Sequence, residues 1–179
     1  MLSAAQIQHY GKRWGAVCKA NDWRMQRGRL HPNGRASAGR SPLHGETFAL
    51  AEQHARANSR AVTVEDLRRA AGARITGRFQ SAKTLANAQF TRLLTLFKLL
   101  IDPDDLGAML GWLDPERDRA RYLESFIRAA APEAYTRAIC EDRFKTGDWR
   151  QLGPSDLTWL ANTLRKRRAK LDQPIEQPF

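Results

Sequence analysis

Cysteine is scarce in this chain. Cys18 and Cys140 are the whole complement, and the 122 positions between them match no zinc-ligand or redox spacing. That excludes a disulfide framework, and a chain of 179 residues buries enough surface to need no such staple. The thiols lie beside Val17 and Ile139, so both are expected to face the core, reduced, which places the protein in a cytoplasm. Long apolar runs are missing too. The longest are short, as in Leu99-Leu100-Ile101, so neither a membrane span nor a secretory segment is expected. Strand alternation and Asn-Gly hairpin turns are absent, which argues against β structure.

Catalytic signatures are equally lacking. His9, His31, His44 and His54 have no metal-ligand spacing, and no Gly-x-Ser-x-Gly occurs. The interval Gly72 to Gly77 has no Gly-Lys-Ser/Thr to hold phosphate and magnesium. Six acids gather at Asp102, Asp104, Asp105, Asp114, Glu116 and Asp118, yet each trio follows a helix start, where carboxylates favour the dipole. No enzyme, cofactor or metal centre is expected.

Acidic residues are few where basic ones abound. The chain carries 30 Lys+Arg against 19 Asp+Glu, a net charge of +11, which points to a polyanion partner. Residues 1–101 hold 17 basic and 5 acidic side chains, +12; residues 102–179 hold 13 and 14, −1. A basic N-terminal helical part, 1–101, and a C-terminal helical part, 102–179, therefore divide at Ile101-Asp102-Pro103, with one compact unit as the alternative.

Three basic clusters are the candidate nucleic-acid contacts. Arg24, Arg27, Arg29, Arg35 and Arg40 lie in a Gly/Pro-rich stretch, 23–45, with no acid between Asp22 and Glu46. Such punctuation predicts an irregular, flexible arm that orders on nucleic acid, or else a solvated loop. Little apolar burial is expected of it, so replacing its arginines should spare the fold. Arg68, Arg69, Arg74, Arg78 and Lys83 form the second cluster. Arg165, Lys166, Arg167, Arg168 and Lys170 form the third, at the end of a helix whose stripe Leu157, Leu160, Ala161, Leu164 cannot continue through a buried Arg168. Trp23 and Phe79, in irregular segments, are candidates for stacking on bases.

The remaining pattern is helical. Ser3-Ala4-Ala5-Gln6 and Thr63-Val64-Glu65-Asp66 open helices, with others starting at Glu46, Asp102-Pro103, Asp114-Pro115, Ala131-Pro132 and Gly153-Pro154. The helix from Thr63 is expected to end at Gly72, and a helix-turn-helix over 46–80 would need a recognition segment after that glycine. Seven or eight helices and an all-α fold follow. A weak echo at an offset of 67 aligns Thr84–Leu93 with Gln151–Leu160, each placing a Leu before a short cap.

Ser81-Ala82-Lys83-Thr84-Leu85-Ala86-Asn87-Ala88-Gln89-Phe90 resembles the Ser-Ala-Lys-x-Leu-Thr-x-Ala-Glu-Leu helix entry of GemA-type regulators of Mu-like phages. The stretch Trp149–Leu157, followed by Leu164-Arg165-Lys166-Arg167, is similar to that family's C-terminal Trp-x-x-Leu and basic helix. Ala86 and Gln89 depart from the usual Thr and Glu. The resemblance covers residues 65–170 and implies a small regulator of gene expression or DNA transactions in a phage or mobile element, without catalytic residues. The expected function is a non-enzymatic DNA- or RNA-binding regulator or accessory protein that grips mainly phosphates. The alternatives are an adaptor redirecting an acidic host protein and a small subunit of a ribonucleoprotein complex.

Overall fold

The computed structural model of the protein describes residues 2–113 and 116–171. The fold is all-α, and the chain divides into two compact units, Met1–Trp112 and Leu113–Phe179. The division falls after Trp112 rather than at Ile101, because α6 (Leu106–Trp112) packs on α5 (Asn87–Ile101). Asp105 caps α6 through the Ala108 amide at 2.9 Å, while Asp102 closes the preceding turn on Asp104. The helix start read at Asp114-Pro115 lies outside the described residues.

The first unit is built around α5, whose Leu93, Leu96, Phe97, Leu99 and Leu100 are almost wholly buried. Against it lie α1 (Ala4–Asn21) and α4 (Val64–Thr76), and α3 (Pro42–Ala57) packs on α4. The α1 capping box forms as expected: the Gln6 amide donates to Ser3 Oγ, and the Ser3 amide donates to Gln6 Oε1. Two ranges differ from the sequence reading. Ser41 caps α3 four residues earlier than expected, and α4 runs through Gly72 to Gly77. Gly72 is helix interior, so no recognition helix follows it.

The 23–45 stretch is folded, contrary to the flexible arm expected from its glycines and prolines. Strands β1 (Met25–Gln26) and β2 (Arg29–Leu30) form a hairpin, followed by a short helix α2 (Pro32–Ala36) and a 3₁₀ turn, Ser37–Gly39. Among the described residues this makes nine α-helices, more than the seven or eight expected. Arg27 and Gly28 fill the two-residue turn at φ 48° and 76°, the left-handed pair that matches strand twist. Burial holds the segment in place. Trp23 is 2% exposed, packed on Trp14, Phe48 and His44, and its Nε1–H donates to Ser37 Oγ at 2.7 Å. A Cβ at Gly34 would stand 2.5 Å from the Asp22 carbonyl, so only glycine lets α2 approach this closely.

A buried polar node joins the ends of three helices. Asn21 Nδ2 donates to the Val17 and Leu100 carbonyls at 3.0 and 2.7 Å, and its Oδ1 accepts from Arg40 at 2.5 Å. His44 Nε2 lies 3.0 Å from the Leu100 carbonyl and 3.1 Å from Asn21 Oδ1, both acceptors, so it carries the proton. Nδ1 then accepts from Ser41 Oγ at 2.8 Å. Burial holds His44 below its ordinary value of 6.5, with the Arg40 charge adding to that and the Leu100 bond opposing it. As pH falls below 6.5 the unfolded chain binds a proton that the folded one resists, so stability declines. Urea midpoints are therefore expected to drop between about pH 7 and 5, and His44→Gln to lose that part of the slope.

The echo at offset 67 is a shared backbone device. The 3₁₀ turns Ala82–Thr84 and Trp149–Gln151 are capped by Ser81 and Asp148, each accepting from an amide two residues on. Leu85 and Leu152 then leave each turn with nearly the same extended backbone, before α5 and α9 (Pro154–Leu171) begin. In the second unit α9 packs on α7 (Glu116–Ala130), and α8 (Glu133–Phe144) meets the Trp149 turn. Its buried side chains include Leu123, Ile127, Cys140, Trp149, Leu160 and Leu164. Cys140 is buried and Cys18 half-buried; both are unbridged. Burial pushes the Cys18 thiol up to about 11, which leaves it protonated and unreactive.

Candidate nucleic-acid interface

The five arginines of the first cluster have different jobs. Arg40 belongs to the polar node: it also donates to the Ala20 and Ile101 carbonyls, at 2.9 and 3.4 Å, a cation at the C-terminal ends of α1 and α5. Its removal is expected to cost stability, unlike that of the other arginines of the set. Arg24 pairs with Asp22 at 2.7 Å, and Arg35 reaches Glu52 at 3.7 Å. Arg27 and Arg29 remain. Both are exposed, at the tip of the hairpin, with no acidic partner among the described residues. Grooves of about 530 and 400 Å³ flank the ribbon, the first lined by Arg27, Arg29 and Pro32, the second by Arg29, Arg35 and Val62.

The second cluster also separates. Arg74 is structural: 9% exposed at its side chain, it donates to the Leu43 carbonyl at 3.0 Å, pairs with Glu46 and lies over the Trp112 ring. Arg68 and Arg69 share one carboxylate, Glu65, at 2.5 and 2.9 Å. The two guanidinium bonds hold Glu65 below the usual carboxylate range. Arg68 also covers the Tyr10 ring and points NH1 at its hydroxyl, 3.4 Å away. Arg78 bonds Gln80, and Lys83 is exposed beside it in the Ser81-Ala82-Lys83 turn.

In the second unit, among the residues whose burial is described, Leu164 is the last buried one of the α9 stripe, with Arg165 half-buried and Lys166, Arg167 and Arg168 exposed. Arg167 donates to Tyr135 Oη at 2.6 Å and lies over that ring. The side chain of Lys170 lies outside the described residues.

Of the two stacking candidates, Trp23 is withdrawn into the core and cannot meet a base. Phe79 is half-buried and stacks on His54, centroids 4.1 Å apart at 12°. It lines a cleft with Tyr10, Arg68, Arg69, Gln80 and Ser81. Tyr10, read from the α1 apolar stripe as core, is buried as expected and also lines this cleft. Sequence reasoning missed Lys12, Arg13 and Lys19, exposed on a helix that has no acidic residue at all. That absence was the available signal.

By charge, the first unit has 17 basic and 8 acidic residues, +9, and the second 13 and 11. No family model matches the chain, and no curated protein or solved structure is found to be similar to it.

Proposed function

We propose that the protein is a non-enzymatic nucleic-acid-binding accessory or regulatory protein that grips the phosphate backbone through its first unit. The observation carrying this reading is the hairpin tip: Arg27 and Arg29, unneutralised, on a turn anchored by buried Trp23 and Leu30. Arginine forks suit phosphate, and a pre-ordered tip pays little entropy on binding. The +9 charge of the first unit supplies the long-range attraction. The likeness of the Ser81–Phe90 entry to GemA-type regulators supports a phage or mobile-element setting, in a cytoplasm.

The test is a fluorescence-anisotropy salt series on duplex DNA, single-stranded DNA and RNA. Arg27→Gln/Arg29→Gln is expected to weaken binding to all sequences alike. The slope of log K against log salt should fall by about 2, one per lost phosphate contact. Circular dichroism should be unchanged, since neither side chain is buried. Absence of binding to all three at low salt would end this reading and pass the basic surface to an acidic protein partner.

A further inference from the structure

Gly72 occupies the interior of α4, where glycine weakens a helix relative to alanine. A packing constraint would explain it, but none exists: a Cβ added there meets nothing within 4 Å. The space it leaves open is the cleft of about 220 Å³ between α1, α4 and the 79–85 turn. Leu85 and Leu93 give the cleft an apolar floor. Phe79 lines the cleft as an aromatic wall, backed by His54 stacked on its ring. At the rim Arg68 and Arg69 share a single carboxylate, so the pair keeps an excess positive charge. Gln80 and Ser81 add an amide and a hydroxyl.

An apolar floor, a flat ring, two polar side chains and surplus guanidinium together suit one planar heteroaromatic ring carrying an anionic group. We infer that this cleft takes a single unpaired nucleotide, its base against Phe79 and its phosphate at Arg68 and Arg69. The volume is below that of pockets for drug-sized ligands, which begin at about 300 Å³, so one base can enter while its sugar and phosphate stay at the rim. The inference rests on the nucleic-acid reading and adds to it a preference for unpaired over fully paired strands.

Gly72→Leu starts from a position where a Cβ meets nothing, directs its side chain toward the cleft and raises helix propensity. The experiment measures binding of this variant and of Phe79→Leu, which keeps apolar volume but removes the ring. The ligands are a duplex and single strands of DNA and RNA of one sequence, with 2-aminopurine at one position of the DNA strand. Single-strand affinity is expected to fall about tenfold in both variants while duplex affinity holds, as loss of one stacked base requires. Quenching of 2-aminopurine should disappear with Phe79→Leu. The DNA and RNA arms report which sugar the cleft accepts. If all nucleic acids bind but both variants match the parent chain on single strands, the cleft inference is overturned and the phosphate reading stands. If nothing binds at any salt, both fall together. Should Gly72→Leu misfold by circular dichroism, Phe79→Leu decides alone.

Discussion

Trp23→Ala is expected to remove about 3–5 kcal/mol of folding stability, the usual cost of truncating a fully buried aromatic. The indole is 2% exposed and holds three rings, those of Trp14, His44 and Phe48, around itself. Its Nε1–H bond to Ser37 Oγ continues to the Gly34 carbonyl at 2.7 Å, so the substitution also unties the α2 turn. Against a typical domain stability of about 5–15 kcal/mol, roughly a fifth or more would be lost. Urea unfolding followed by circular dichroism measures it. A stability within about 0.5 kcal/mol of the parent chain, the range of ordinary surface changes, would contradict the anchoring role.

That residue also marks where the sequence could and could not be read. The helices of the first unit were legible because Tyr10, Trp14 and Val17, or Phe90, Leu93, Phe97 and Leu100, repeat at helical spacing and are buried in that spacing. Capping chemistry gave Ser3 and Thr63 correctly for the same local reason. The 23–45 stretch was illegible because its order comes from tertiary burial of Trp23, Leu30 and Ser37, which no local signal announces. Gly28 and Gly34 looked like loop punctuation and instead serve a left-handed turn and a close backbone approach. Charge in sequence likewise overstated the site. Arg40 and Arg74 are spent on carbonyls inside the fold, and only the three-dimensional partners separate them from Arg27 and Arg29.

Asn21→Ala should cost about 3 kcal/mol, through the loss of four buried hydrogen bonds at roughly 1 kcal/mol each. Both of its amide hydrogens and its carbonyl oxygen are used, at Val17, Leu100, Arg40 and His44. Alanine leaves His44 only the Leu100 carbonyl for its Nε2–H and leaves Arg40 the Ala20 and Ile101 carbonyls. Thermal and urea unfolding of the variant measure the loss, while binding by the folded protein is expected to persist because Arg27 and Arg29 lie outside the node. Tolerance of this change with unaltered stability would mean that water replaces the amide and the node is not closed.

The node also orders events in time. Its bonds tie Asn21 to Leu100, 79 residues apart, and Arg40 to Ile101, 61 residues apart. Closing so large a ring is entropically unrewarded until the helices that line it exist, whereas α3 and α4, joined by a short turn, meet through contacts close in sequence. The α3–α4 pair is therefore expected to form early and the docking of α1 on α5 late. A nascent chain is therefore expected to close the node only after residue 101 has been made, and fragments that end before α5 would lack the Leu100 and Ile101 carbonyls that complete it.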